Sequence, residues 1–364
     1  MKILHLIDHV GFGGAQTILK SLFEFMQSNT DIYYFALRDN SMARVTIHHK
    51  NVSHSTSYSK YSLKPLFEIN KIIKLNNIQL LHCHLFRSQV FGWLIKKFIN
   101  NKLILVFHEH GEIFRDKWWF ILLQKMARKE IDAWIAVSNS TKKQLIENIK
   151  IFPNKIFVLY NFADDNLYNP ESLEKINRDQ IKSTYHLQRD DFVIGFLGRL
   201  NEIKSLPTLI DALSLLPFQF VAIIAGQGPE QYKLELMANR LGLYNKIRFI
   251  NFQKNILPLY AIIDLLVLPS RSEASPMIFY ESQMLGLPMI ASDMPALNEL
   301  IHDGDNGVLF PFQNSKVLAQ KITKLHSDKS LYNHIKQQAC LNGSQFTLKA
   351  FIKNLNAIYV QIKA

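Results

Sequence analysis

Val193-Ile194-Gly195-Phe196-Leu197 runs directly into Gly198-Arg199-Leu200-Asn201-Glu202-Ile203-Lys204, and this stretch decides the fold. A short apolar run closed by glycine reads as a strand buried on both faces, as parallel sheets require. The glycine and two cations then lead into Leu206–Leu215, which carries a helical pattern. Working outward, the same alternation recurs. Upstream strands are expected at Ile3–Ile7, Leu80–His82, Leu103–Phe107, Ala133–Val137 and Ile156–Leu159. Downstream ones are expected at Phe220–Ala225, Ile247–Ile250, Leu265–Leu268 and Met289–Ala291. Between them lie helical patterns at Gln16–Gln27, Lys142–Asn148, Gln231–Leu241 and Phe279–Leu285, and the chain closes on another at Phe346–Ile362. Strand and helix in alternation predict an α/β fold with parallel sheets covered on both faces.

Two such series in 364 residues predict two doubly wound domains, since cores split beyond about 250–300 residues. The polar stretch Asn161–Asp190 reads as the linker, giving domains over 1–165 and 166–345 with a C-terminal helix over 346–364. Hydrophobic residues make up 48% and charged residues 20%, a balance that excludes a disordered chain. Cys83 and Cys340 stand far apart and build neither a disulfide framework nor a zinc-thiolate spacing, which predicts a reducing, cytoplasmic setting. The start reads as a strand and not as a signal peptide. The longest apolar stretch, Ile256 to Pro269, is broken by Asp264 and is too short to span a bilayer. Residues 1–165 hold 22 Lys+Arg against 13 Asp+Glu, so most of the net charge of +12 lies there. That surplus suits an anionic partner (nucleic acid, a membrane surface or a phosphorylated acceptor) or reflects a lysine-rich composition.

Ligands of doubly wound sheets sit at the carboxyl ends of strands, so chemistry is sought there. Gly11-Phe12-Gly13-Gly14-Ala15-Gln16 follows the first strand and suits either a tight turn or close backbone approach to an anion at a helix start. It matches neither the dinucleotide nor the P-loop pattern. His108-Glu109-His110-Gly111 follows another strand. These histidines could donate a hydrogen bond, move a proton, or be structural. His-x-His also suggests a metal, and His82-Cys83-His84 likewise points alternate side chains one way, but no third and fourth ligand can be assigned, so no metal is assigned. Arg199 and Lys204 can converge on one anion, the guanidinium pairing with phosphate oxygens, or can be solvated. In Glu273-Ala274-Ser275-Pro276-Met277-Ile278-Phe279-Tyr280-Glu281, Ser275 suits a helix cap and Pro276 the first helical position. Glu281 then lies roughly 7–8 Å along the helix. Asp303-Gly304-Asp305 could hold a cation on a diphosphate, but its surroundings read as a turn. Phe114–Lys129 sets Trp118 and Trp119 among bases and reads as a membrane-surface helix or an ordinary packed one.

Taken in order, these stretches resemble the family 4 retaining glycosyltransferases of the GT-B fold. The resemblance rests on Gly198-Arg199-Leu200 with Lys204, on Ala225-Gly226-Gln227-Gly228-Pro229, and on Glu273 through Glu281. Val137-Ser138-Asn139-Ser140, Tyr160-Asn161, Gly13-Gly14-Ala15-Gln16 and Asn298-Glu299-Leu300-Ile301 support it. It implies two Rossmann-like domains facing across a cleft, with the last helix crossing back to the first domain. It further implies that Arg199 and Lys204 hold a donor diphosphate and Glu281 the nucleotide ribose. Glu273 would sit beside the transferred sugar, and His110, or else His108, would bond it. The Gly13–Gly14 loop, Gly226, Ser275, Pro276 and Met277 would also contact the donor, and His108 and Asn161 would lie on the acceptor side. The chain departs from the family at Ala274, Phe162 and Pro295-Ala296, where glycines are usual. The activity so implied is metal-independent transfer, without a cofactor, from a nucleoside diphosphate sugar, with UDP favoured. The acceptor would be a glycan or a lipid-linked precursor of bacterial surface polysaccharide or lipooligosaccharide. The setting would be cytoplasmic with possible peripheral contact at the inner membrane face. A GT-B epimerase or phosphorylase is the alternative. A nucleic-acid binder is the remote one, because aromatic-flanked glycine motifs of RNA-binding modules are absent.

Overall fold

The computed structural model describes residues 1–9, 11, 13–38, 46–55, 59, 62–111 and 118–363. The chain divides into two units, Met1–Asn161 with Leu348–Ala364, and Phe162–Thr347. The division thus falls at 161 and not at 165.

The first unit holds a seven-stranded sheet of β1 (Ile3–Ile7), β2 (Ile32–Ala36), β3 (Val52–His54), β4 (Leu80–His84), β5 (Ile104–Glu109), β6 (Ala133–Ala136) and β7 (Ile156–Val158). Their order is β3-β2-β1-β4-β5-β6-β7, and every pairing is parallel. Leu4, Leu6, Leu81, Leu105, Phe107 and Trp134 build the core on one face of this sheet. The other face is unusual: His5 is the register partner of His82, and His84 that of His108. Because alternate residues share a face, four histidines line up on the buried side where branched aliphatics are the norm. The C-terminal helix, Leu348–Lys363, belongs to this unit and lays Tyr359 against His82, with ring centroids 5.7 Å apart.

The second unit holds a six-stranded sheet of β8 (Val193–Leu197), β9 (Val221–Ala225), β10 (Ile247–Ile250), β11 (Leu265–Leu268), β12 (Met289–Ser292) and β13 (Val308–Phe310), ordered β10-β9-β8-β11-β12-β13 and again all parallel. Strand order reverses at β8 and β11, the switch point where such sheets open a crevice.

The expected linker over Asn161–Asp190 is corrected by the structure. Helices Pro170–Glu174 and Arg178–Thr184 form there, each started by an asparagine, Asn169 and Asn177, whose side chain accepts from a backbone N–H. Lys182 is buried and donates to the carbonyls of Arg189 and Asp191 at 2.7 and 2.9 Å. Polar residues that read as a solvated connection are spent on caps and on one buried amine.

Candidate active site

In the second unit, the loops after β8 and β11 are tied together. The loop after β8 runs through the turn Glu202–Lys204, where the Asn201 side chain accepts from the Lys204 amide at 3.3 Å. Gly198 N donates to Ala225 O and Leu200 N to Gln227 O, each at 2.9 Å, which fastens it to the loop after β9. That approach requires glycine. A Cβ on Gly226 would stand 1.8 Å from the oxygen of Gly198, and one on Gly228 2.1 Å from that of Leu200. Packing of two loops therefore accounts for Gly226, which was expected among donor contacts. Arg271 N donates to Ile203 O at 2.7 Å and joins the third loop.

The result is a pair of opposite charges. Lys204 Nζ lies 2.5 Å from Glu273 Oε1, and Ser270 Oγ donates to the same oxygen at 2.6 Å. Both charged side chains are mostly shielded, at 19% and 11% exposure, while Arg199 is exposed. The helix that follows spans Met277–Met284. Pro276, with extended ψ of 128°, is its cap and not its first residue, and the Ser275 hydroxyl lies 2.6 Å from that of Tyr280 instead of capping. Met277 opens the helix.

One turn into this helix, Glu281 is 6% exposed. Its Oε2 accepts from Tyr260 Oη at 2.5 Å, and Tyr168 also bonds the carboxyl. Burial pushes the carboxyl up to about 7, against the pull of those two hydrogen bonds. Ser270, Tyr168 and Tyr260 went unnoticed in the sequence, because nothing near them in the chain marks them as partners of these glutamates.

Asp303-Gly304-Asp305 forms a turn, with Gly304 at φ 81°. Asp303 accepts from Leu309 N at 2.8 Å and lies 3.6 Å from Lys321 Nζ, and Asp305 lies 3.0 Å from His334 Nε2. Both carboxylates serve local structure.

In the first unit, β5 ends at Glu109 and His110 follows it. His84 Nδ1 lies 2.8 Å from His110 Nε2, and His82 Nε2 lies 3.2 Å from His108 Nδ1. The remaining nitrogens, His108 Nε2 and His110 Nδ1, are buried without a partner among the described residues. Burial holds His110 down to about 3 and His108 well below the usual range, so both rings are neutral near pH 7. Glu109 faces away from them. Its Oε1 accepts from Gln89 at 2.8 Å and Gln124 at 2.7 Å, and burial pushes it up to about 7. Strand register sets these rings beside His82 and His84 of β4, which the sequence had noted, and adds His5 of β1, which it had not.

Gly13 caps the helix Gly14–Phe25, and its carbonyl accepts from Thr17 N at 3.0 Å. Phe12 and Phe114–Lys117 lie outside the described residues. Asn161 is buried at the end of the first unit, and neighbouring Tyr160 accepts from Asn139 Nδ2 at 2.7 Å.

Comparison with known proteins agrees with the fold. Residues 12–167 match the family described as Glycosyltransferase Family 4, and residues 177–341 match Glycosyl transferases group 1. The N-acetyl-alpha-D-glucosaminyl L-malate synthase of Bacillus anthracis is 23% identical over 84% of this chain and 80% of its own length. The O-antigen biosynthesis glycosyltransferase WbnH of Escherichia coli is 25% identical over 95% of each. The crystal structure of Anabaena Alr3699/HepE in complex with UDP superposes with a TM-score of 0.85 at 23% identity, covering 99% of this chain and 100% of that one. The two family matches together take in both halves, and the chain is a transferase enzyme that belongs to the GT-B glycosyltransferases, joining a family 4 N-terminal part to a group 1 C-terminal part.

Proposed function

We propose that this enzyme moves a sugar from a UDP-sugar to a glycan or lipid-linked acceptor of bacterial surface polysaccharide, with retention of configuration and without a metal on the diphosphate. One observation carries the reading: the loop bearing Arg199 and Lys204 is fastened to the loop bearing Glu273, immediately before the helix bearing Glu281. A departing nucleoside diphosphate gains negative charge, which a guanidinium, an ammonium and a helix N-terminus stabilise in place. Arg199 pairs with phosphate oxygens and Lys204 supplies a compact charge beside them. Glu273, poised on Lys204, orients the transferred sugar. Glu281 accepts from the ribose hydroxyls, its carboxyl held by two tyrosines. His110 contributes a neutral ring to bond the sugar, with a buried Nδ1 that has no partner among the described residues, and His108 lies within the strand. Retention follows from front-face attack, with a donor phosphate oxygen taking the acceptor proton, so no protein nucleophile is required.

The HepE structure holds UDP, and WbnH serves O-antigen synthesis, which supports the choice of donor and pathway class. No described helix is long and apolar enough to cross a membrane. The helix Trp118–Ala127 nonetheless leaves Trp118 67% and Trp119 48% exposed, with Leu122 and Met126 exposed beside them. With the basic surplus of residues 1–165, this supports a cytoplasmic enzyme that visits an anionic membrane face. The test is a panel of nucleotide sugars screened by thermal shift and then by released nucleotide with acceptor present. UDP release that depends on acceptor supports the reading. Interconversion of the donor sugar without transfer, or phosphorolysis, overturns it.

A further inference from the structure

We infer that Arg38 and Arg87, poised on Asp8, bind a phosphate group carried by the acceptor, which names the acceptor class and rests on the transferase reading. All three residues belong to the first unit. Asp8 follows β1, Arg38 comes just after β2, and Arg87 is the second residue of the helix Phe86–Phe98 that follows β4. Strand order in this sheet reverses between β1 and β4, so the three meet at the carboxyl edge where a doubly wound sheet opens a crevice for ligand. Arg38 Nε and Nη2 donate to Asp8 Oδ1 and Oδ2 at 3.3 and 3.0 Å. Arg87 Nη1 donates to Asp8 Oδ1 at 3.4 Å, and its Nη2 donates to the carbonyls of Ser59 and Ser62 at 3.4 and 3.3 Å.

Two guanidiniums on one carboxylate leave a positive charge over. The side chains of Arg38, Arg87 and Asp8 are 27%, 15% and 20% exposed, withdrawn from bulk water yet open to a ligand. Arg87 is under-bonded. Charge-assisted bonds close to about 2.7–2.9 Å, and none of its contacts among the described residues is that short. A guanidinium carries donors along both edges, and among the described residues Arg38 Nη1 and Arg87 Nε are not spent on a hydrogen bond. The turn into the helix is strained as well. Leu85 stands at φ 69° and ψ 157°, a region nearly reserved for glycine, and such strain collects where ligands are clamped. Phe91 backs Arg87, its ring centroid 5.2 Å from the guanidinium carbon. A structural tie alone accounts for the arrangement less well, because one arginine neutralises one aspartate and a partly exposed ion pair contributes little to stability. A phosphate monoester offers several acceptor oxygens and about two negative charges near pH 7, so it takes up the donors that Asp8 leaves. A carboxylate would only repeat Asp8. The basic surplus of residues 1–165 favours the same sign of charge.

The full chain is saturated with UDP, which occupies the loops proposed for the donor, and titrated by calorimetry in phosphate-free buffer. Glucose 1-phosphate probes a soluble phosphate, and farnesyl phosphate in detergent probes a lipid-borne one. At least one should bind wild type, the tighter naming the source, while neutral methyl glucoside should not bind. Arg38→Gln and Arg87→Gln should each weaken phosphate binding by about 10–100-fold, as for loss of a charged hydrogen-bond partner, and leave UDP affinity unchanged. Asp8→Asn removes the competing charge and should tighten phosphate binding severalfold, which a structural tie does not predict. That variant decides the matter if the arginine variants fail to fold. Folded, UDP-saturated wild type that binds neither phosphate overturns the inference. Equal phosphate affinity in wild type and both arginine variants, or tighter binding of methyl glucuronide than of glucose 1-phosphate, overturns it as well. Phosphate binding that Arg38→Gln abolishes, in a chain with no affinity for UDP, keeps this site and fails the transferase reading, so the two failures are distinct.

Discussion

Lys204 Nζ sits 2.5 Å from Glu273 Oε1, on an oxygen that also accepts from Ser270. The cation proposed for the diphosphate is thus held by the carboxylate proposed for the sugar. Glu273→Gln removes the opposing charge and leaves Lys204 for phosphate. UDP should bind at least as tightly as to wild type, measured by calorimetry, while turnover falls. Lys204→Ala should weaken UDP binding by about 1.5–3 kcal/mol, as for a hydrogen bond to a charged group. Unchanged UDP affinity in Lys204→Ala would remove this lysine from the donor site.

Glu281 separates from Glu273 by what it touches. Its carboxyl is buried under Tyr260 and Tyr168, where a ribose hydroxyl pair would complete its partners. Glu281→Ala should cost about 1.5–3 kcal/mol in binding both UDP and the UDP-sugar. Tyr260→Phe should weaken both in the same direction by less. Equal UDP affinity for wild type and Glu281→Ala contradicts the ribose role.

Transfer should persist in excess chelator, and Asp303→Ala should retain substantial activity, because Asp303 is spent on Leu309 N and Lys321. A complete loss in chelator that magnesium reverses would put a metal on the diphosphate.

Co-sedimentation with vesicles tests the membrane claim. Each base near an anionic surface contributes about 1 kcal/mol, reduced by salt. Wild type should pellet with anionic vesicles at low salt, less at high salt, and not with neutral ones. The double variant Trp118→Ala, Trp119→Ala should bind more weakly. No binding to anionic vesicles at low salt removes the membrane claim and leaves transfer untouched.

Stability should fall toward acid. Burial holds His5 and His110 down to about 3, and His82, His84 and His108 well below their usual range. As pH drops below about 6.5 the unfolded chain takes protons that these folded rings refuse, so their contribution is present above that pH and lost below it. Glu109 and Glu281 act oppositely. Raised to about 7, they keep protons that the unfolded chain gives up above 4.5, so their contribution is lost as pH rises through 7. Each full proton of difference changes stability by about 1.4 kcal/mol per pH unit. Five rings outweigh two carboxyls, and the melting temperature should drop steeply from pH 6 to 5. Glu109→Gln, which can still accept from Gln89 and Gln124, should melt higher than wild type at pH 8 and close to it at pH 5. A melting temperature flat from pH 6 to 5 would contradict the buried neutral rings.

The sequence by itself determined the two parallel sheets and the loops that carry the residues proposed for the donor. Buried parallel strands are short continuous apolar runs, and β1, β8, β10 and β11 stand where those runs stand. Ligands of such sheets sit at the carboxyl ends, so Arg199, Lys204, Glu273 and Glu281 stood out there as candidates, and the family resemblance gave them their proposed roles. Strands β2, β3 and β13 escaped notice. β3 lies at a sheet edge and is largely exposed, and three residues of β13 make too short a run. The polar stretch after Asn161 concealed two helices, because its asparagines cap and its lysine is buried. Only the tertiary structure decided which distant side chains meet. Tyr260 reaches Glu281 across 21 residues, Lys204 reaches Glu273 across 69, and Tyr359 reaches His82 across 277. The two His-x-His pairs were legible, but strand register set them side by side on β4 and β5, added His5 from β1 on the other side of β4, and turned two local patterns into one buried cluster. Register in a parallel sheet is set by packing of whole strands and helices, which no local window of residues contains.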